Sequence, residues 1–420
     1  MTALLPYPEY KPSGIPFLDD VPVEWSVRPA VTMAKVLTST VDKHTVDGER
    51  SVQLCNYTDV YYNDEVRPDV DYMKATASGE QIASFAVTAG DVVFTKDSET
   101  ADDIGISAYV PRTLPGVVYG YHLATYRPRD IRYGKFLKWV MDSRYAKATL
   151  QTRTLGVTRV GLSQNTIRYL RVPTPAPDEA ALIADFLDRE TAELDAFIAD
   201  QEELIGLLAE RRKAMQAAVL SRTDAEPRVR LRFLFEQSRE DDSSESEVLS
   251  VYRDYGVIPK SSRADNFNKT PDDVSRYLVV RPGYLVVNKM KAWQGSLGVS
   301  EYEGIVSPDY EVLRPASTSL DPRFVHAYLR SPQMIGEYAV RSVGIRPSQW
   351  RLYWDQLRDI AIPLPSPSMQ RELCNVLDRE TVELDAAIAD AREAIALSRE
   401  RRAALISAAV TGKIDVREAA

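Results

Sequence analysis

The stretch LDRETAELDAFIADQE at residues 187–202 returns as LDRETVELDAAIADAR at 377–392, identical at 12 of 16 positions, without a gap and displaced by 190 residues. Solenoid repeats have periods of roughly 20–50 residues, so a repeat this distant predicts a duplicated domain, each copy followed by the same polar segment. The match continues at the same offset: Pro173, Pro175 and Pro177 face Pro363, Pro365 and Pro367, and Arg211 and Arg212 face Arg401 and Arg402. Upstream the correspondence thins but survives small gaps, pairing Gly90 with Gly283, Lys96 with Lys289, Ser143 with Ser331 and Gly156 with Gly344.

Between Asp178 and Ser221 there is no proline and one glycine, among dense Ala, Leu, Glu, Asp and Arg, a composition that favours helix. Pro177 suits a first helical turn and Asp178 a cap for its free amides, and Pro367 and Ser368 open the second copy in the same way. A seven-residue pattern runs through both copies. In the first it places Leu187, Leu194 and Leu208 on one column and Ile198 and Ile205 on the other; in the second, Leu377, Leu384 and Leu405 beside Ile388 and Ile395. A helix with one apolar stripe cannot bury it alone, and the nearest partner is the other copy. Antiparallel pairing of two such helices, each about 65 Å long at 1.5 Å per residue, would hold the two variable parts apart. A homodimerising coiled coil remains the alternative, and the small seam residues Ala391 and Ser398 leave room for a further helix from outside.

The variable parts carry mixed signals. QIASFAVTAGDVVFTK at 81–96 and SRYLVVRPGYLVVNK at 275–289 read as strands around a glycine turn, whereas KFLKWVMDSRYAKATLQ at 135–151 and PRFVHAYLRSPQMIGEYAV at 322–340 have helical spacing. The expected class is therefore α+β, two α+β domains and two long antiparallel helices in a pseudo-two-fold repeat.

With 420 residues, 44% hydrophobic and 27% charged, the chain has the composition of soluble globular protein. It has no run of about 18 apolar residues, and MTALLPYPEYKPSG lacks the layout of a secretory signal, so the expected location is cytoplasmic, without a membrane partner. Cys55 and Cys374 are not repeat counterparts, and His44, His122 and His326 have no neighbour at ligand spacing, which excludes a disulfide framework and predicts no metal and no cofactor. The net charge is −9, of which residues 178–222 carry −6 and residues 369–420 carry −2, so the variable parts are close to neutral.

Catalytic motifs are absent: no phosphate loop, no dinucleotide loop and no HExxH. SPDY at 307–310 lacks the asparagine of an amino-methyltransferase NPPY loop, and PDYEV is not followed by the ExK of a metal nuclease. What recurs is basic, amide and aromatic chemistry on predicted loops. NKMKAWQGSLG supplies Lys289, Lys291, Trp293 and Gln294; RSVGIRPSQWR supplies Arg346 and Gln349; the first copy supplies Lys96, Arg153 and Arg159. Arg and Lys donate to guanine O6 and N7 or to phosphates, and Gln bonds adenine at two atoms. Each residue alone is more readily a surface charge or a packing Trp than a base contact; their clustering in both copies raises the group above its members.

These residues resemble the specificity subunit of type I DNA restriction-modification systems. YKPSGIPFLDDVPVEW at 10–25 resembles that family's opening, GYLVVNKMKAWQGSLGVSEYEGIVSPDY at 283–310 resembles a motif of its target-recognition domains, and the LDRET helices with ALISAAVTGKIDVRE at 404–418 resemble its spacer regions. The helix openings PAPDEAA and PSPSMQRE depart from the family's Pro-x-x-Glu-Gln. The resemblance implies target-recognition domains at 1–175 and 223–366, spacer helices at 176–222 and 367–412, and a tail at 413–420. It further implies a non-catalytic chain that reads a split, asymmetric site on double-stranded DNA and docks two methyltransferase subunits, which motor-endonuclease subunits join for restriction. A coiled-coil adaptor and a stand-alone DNA-binding regulator are the competing readings.

Overall fold

The structure is a computed structural model that describes residues 5–156, 158–241, 246–253, 255–263, 270–271, 273–346 and 349–417. The chain divides into two compact units, residues 1–201 with 393–420, and residues 202–392. Helices Pro177–Leu220 and Pro367–Val410, 44 residues each, are shared, so that each unit contains one half of each helix.

The two units are built alike. In the first, four antiparallel strands lie in the order Ala34–Thr38, Leu123–Pro128, Val92–Thr95, Ser107–Tyr109. In the second, Phe235–Ser238, Tyr310–Pro315, Leu285–Asn288 and Leu297–Val299 take the same order with the same antiparallel sense. A one-turn helix precedes the first strand of each sheet, Ala30–Met33 in one unit and Leu231–Leu234 in the other. Two helices follow each sheet: Tyr133–Asp142 and Arg144–Gln151, then Pro322–Leu329 and Pro332–Arg341. The second of each pair is capped by the aligned serine. The Ser143 hydroxyl accepts from the Ala146 amide at 3.2 Å, and Ser331 accepts from Met334 at 3.4 Å. Each cap satisfies an amide that the helix leaves open, which explains why the serine persists where little else does. The first unit adds a further sheet, Val117–Tyr119 parallel to Arg50–Cys55, which pairs antiparallel with Met73–Ala77.

One local reading is corrected. Residues 81–85 of QIASFAVTAGDVVFTK are helical, within Gly79–Phe85, and only Val92–Thr95 is a strand. The cause lies just upstream: the Ser78 hydroxyl accepts from the Gln81 amide at 3.2 Å and the Gln81 side chain accepts from the Ser78 amide at 3.0 Å, a capping box that nucleates a turn.

The helix halves run antiparallel inside each unit. In the first, Ile183 and Leu187 share a core with Ile406, Ala409 and Val410, and with Phe94, Phe136 and Val140 of the domain. In the second, Val219 and Leu220 share a core with Leu373, Cys374 and Leu377, and with Phe235, Leu285 and Phe324. The helix ends are thus part of the domain cores. Complete burial of Leu187 contributes about 1.5–3 kcal/mol. Leu187, Ile198, Leu377, Leu384 and Ile395 are buried, and Leu194, Ile205, Leu208, Ile388 and Leu405 are half-buried.

The chain's two ends meet in the first unit. Tyr7 Oη and Trp25 Nε1 both donate to Glu179 Oε1, at 2.8 and 3.2 Å, Tyr10 Oη donates to the Gly412 carbonyl at 2.9 Å, and the Asp415 amide donates to the Leu5 carbonyl at 2.8 Å. Gly412 ends the second long helix at φ +71°, and a Cβ there would stand 2.4 Å from Pro22 Cδ, so both its conformation and its neighbour require glycine. Among the described residues no helix is long and apolar enough to cross a membrane, and no group of His, Cys, Asp and Glu could hold a metal.

Candidate nucleic-acid interface

The repeated polar segment holds each domain to the helices through equivalent contacts. Asp188 of the first LDRET accepts from Lys135 Nζ and, at 2.9 Å, from Trp139 Nε1. Asp378 of the second accepts from Arg323 Nη1 at 3.0 Å. Between the helix halves, Arg402 meets Asp195 and Arg212 meets Asp385, each at 2.9 Å, and every partner is displaced from its counterpart by 190 residues. The Arg402 guanidinium also lies over the Trp139 ring. Beside it, burial acts to lower the pKa of Lys138, but Asp142 and Asp64 on either side outweigh it and raise the value, which keeps this buried lysine charged. The constancy of the segment follows from these contacts, which both domains need.

The loops beyond the strands differ between units. In the second, strand Leu285–Asn288 runs into a tight loop in which Ala292–Gln294 form a 3-10 turn and Gly295 takes φ +91°. Lys289 Nζ donates to the Pro308 carbonyl at 2.7 Å, and the Lys289 carbonyl accepts from the Leu352 amide at 2.9 Å. Trp293 Nε1 donates to the Met290 carbonyl at 3.1 Å, and its ring meets that of Trp350 edge-on at 5.4 Å. Lys289 and Trp293 thus build the loop, and Lys291 and Gln294 are its exposed polar side chains. Val343 and Arg351 are joined by an antiparallel bridge next to it, and Arg346 and Gln349 are exposed. Pro347 and Ser348 of the RPSQWR stretch lie outside the described residues.

In the first unit Lys96 occupies the place of Lys289, one residue beyond strand Val92–Thr95. Its Nζ sits 4.1 Å from the centre of the Tyr121 ring and 3.6 Å from Asp97, whose carboxylate lies 2.7 Å from His122 Nδ1. With its side chain 13% exposed, Lys96 is largely enclosed. Arg153 immediately precedes the paired strands Thr154–Leu155 and Val160–Leu162 and Arg159 lies in the connection between them, and both are exposed. In that connection Gly156 has φ +116°, and a Cβ would come within 2.1 Å of the Arg159 carbonyl oxygen.

Two aromatic clusters beside these loops escape a reading by motif. In the first unit Tyr57 and Tyr61 stack at 5.4 Å, Tyr62 meets Tyr61 edge-on, and Tyr121 is half-exposed over Lys96. In the second, the hairpin of Leu249–Tyr252 and Gly256–Pro259 carries Arg253 and Tyr255, and the Arg263 guanidinium lies 4.8 Å from the Tyr255 ring and 5.2 Å from Tyr252. The available signal is aromatic and basic residues interleaved at a turn, as in VYRDYG at 251–256. Planar cations and rings at loop tips suit base edges and sugar-phosphate.

No protein-family model matches the sequence, and no curated protein is significantly similar to it. Solved structures are. A chain from the structural basis of complex assembly and conformational transition of the type I R-M system aligns with TM-score 0.63 and 17% identity, covering 94% of this chain and 99% of that one. The HsdS subunit from Thermoanaerobacter tengcongensis aligns with TM-score 0.48 and 18% identity over 94% and 98%, and the type I S subunit from M. genitalium with TM-score 0.35 and 14% identity over 93% and 96%. The first carries the comparison: over nearly its whole length this chain shares the fold of that chain of the type I R-M system.

Proposed function

We propose that this chain is the DNA-reading, non-catalytic subunit of a cytoplasmic type I restriction-modification complex. Its two domains each read one half of an asymmetric bipartite duplex target, and its helices dock two methyltransferase subunits that modify adenine. Motor-endonuclease subunits join that assembly for restriction. The observation that carries this reading is the duplication itself: two sheets of identical strand order, different exposed loops, and one constant helical segment anchoring both. A structure in which the framework repeats and the exposed chemistry does not is suited to two different sequences presented to one kind of partner. Lys291, Gln294, Arg346 and Gln349 in one unit, and Arg153 and Arg159 in the other, are the exposed side chains placed for base or phosphate contact. Lys96, Lys289 and Trp293 support the loops from which these residues project.

The near-neutral domains supply little phosphate neutralisation, the source of most non-specific affinity. The methyltransferase subunits therefore complete the grip on DNA. The test is reconstitution with a co-encoded adenine methyltransferase. The expected outcome is a stable complex whose site-specific methylation requires this chain; a partner-free homodimer that ignores DNA would refute the reading and favour an adaptor.

A further inference from the structure

Tyr121 and His122 form a turn in the first unit that three other segments hold. The Gly120 amide donates to the Cys55 carbonyl and the Tyr121 amide to the Val41 carbonyl, each at 2.8 Å, and the His122 carbonyl accepts from the Lys96 amide at 3.0 Å. The turn sets the His122 ring beside Asp97, with Nδ1 at 2.7 and 3.0 Å from the two carboxylate oxygens. Nδ1 therefore carries a proton and donates it, and Nε2 has no hydrogen-bond partner among the described residues. The side chain is 38% exposed, and its ring meets that of Tyr121 edge-on at 5.3 Å. The charged and titratable groups around the pair are Lys96, 3.6 Å from the Asp97 carboxylate, Tyr121, over whose ring Lys96 Nζ lies, and Tyr57, whose hydroxyl is 3.5 Å from Ser98 Oγ. A surface histidine paired to an aspartate is commonly a packing contact, but this pair stands among the exposed loops. Asp97 and Ser98 pair antiparallel with Gly161 and Val160, whose neighbour Arg159 is exposed, and they follow Lys96 as the loop of Lys291 and Gln294 follows Lys289.

With Nδ1 committed to Asp97, the protonation of Nε2 decides what the ring offers: the neutral ring presents an acceptor, the imidazolium a charged donor. Duplex DNA presents acceptors in its phosphate oxygens and in guanine N7 and O6. We propose that His122 is a DNA-contacting residue of the first unit, its imidazolium Nε2–H donating to a phosphate or guanine acceptor in the half-site that this unit reads, with Asp97 as its positioning residue. This rests on the DNA-reading function proposed above. The contact forms only with the proton in place, so binding takes up a proton and weakens as pH rises through the range in which histidine loses it.

The test uses the full-length chain in complex with its methyltransferase and a duplex carrying the sequence that this complex methylates. Equilibrium binding is measured from about pH 5.5 to about pH 8.5 for the wild type and for His122→Gln, whose amide can still donate to Asp97 but does not titrate; the ratio of the two affinities cancels titrations elsewhere in the complex. The wild type is expected to bind roughly tenfold more tightly at the acid end, the value of one hydrogen bond to a charged group, and the advantage is expected to vanish toward the alkaline end. The wild-type complex is then given duplexes in which single phosphates are replaced by neutral methylphosphonates, or single guanines by 7-deazaguanine, throughout both half-sites. One position is expected to remove the acid-end advantage; a 7-deazaguanine there makes His122 a base reader, a methylphosphonate makes it a backbone contact. The contact is overturned by an affinity ratio that is flat across pH or grows with it, and equally by a wild type whose acid-end advantage survives in every modified duplex. Should His122→Gln not assemble, the modified duplexes decide alone, because they leave the protein unaltered. A wild-type complex that methylates no bipartite site defeats the DNA-reading function itself, and is seen before any substitution is made.

Discussion

Glu179 joins the beginning of the chain to a long helix: one carboxylate oxygen receives both Tyr7 and Trp25, each almost wholly buried. Glu179→Ala leaves two buried donors without an acceptor and is expected to cost about 2–3 kcal/mol, whereas Glu179→Gln retains an acceptor and recovers part of the loss; equal stability of Glu179→Ala and wild type in urea unfolding would contradict the assignment. His326 gives a pH signature. Burial, reinforced by the Arg330 charge, lowers its pKa from 6.5 to about 4. Between those values the unfolded chain binds a proton that the folded chain refuses, so stability is full above about pH 6.5 and falls as pH drops toward 4. At pH 5 the loss is roughly 2 kcal/mol relative to pH 7.5, and His326→Gln is expected to remove that difference. For recognition, Lys291→Ala with Gln294→Ala is expected to relax one half-site while the other half-site and the assembled complex persist; unchanged methylation would show that these side chains do not contact bases. Residue identity alone made Lys96 and Lys289 equal to Lys291 as candidates. The structure separates them, because only tertiary contacts reveal that Lys96 is enclosed by Tyr121 and Asp97 and that Lys289 is bonded to the Pro308 carbonyl.

At the scale of elements, the long helices were legible because their period, their lack of proline and their repeat all agree. The sheets were legible only in part. Strand Leu285–Asn288 follows from VVN after a glycine turn, yet the helix Gly79–Phe85 was hidden at the start of a segment read as strand and was decided by a capping box whose Ser78 lies just before that segment. The aligned Ser143 and Ser331 look incidental in the sequence, and their role as helix caps emerges only from the fold. The helices also carry a mechanical expectation. Removing one heptad at matched positions, residues 198–204 and 388–394, preserves the seam register and shortens each helix by about 10 Å, close to three base pairs of B-DNA at about 3.4 Å each. The two half-sites should then stay the same while the spacer between them shrinks by about three base pairs; a spacer of unchanged length would rule out the helices as the ruler.

At the scale of the whole molecule, a repeat that covers only 16 residues clearly in sequence extends in structure to a four-stranded sheet and a pair of helices in each unit. The domains diverged where side chains face outward and kept their strand order where they face the core, so the similarity faded from the sequence before it faded from the fold. Which loops are exposed was not legible, because exposure and the meeting of distant residues, such as Lys289 with Leu352 and Trp293 with Trp350, are properties of the folded chain. The central claim is that two unlike domains on one repeated framework read an asymmetric, interrupted target. Sequencing methylated adenines in DNA exposed to the chain and its methyltransferase tests it directly. The expected result is a single motif of two different half-sites divided by a fixed run of unread base pairs; an uninterrupted motif, two identical half-sites, or methylation without a motif would contradict it.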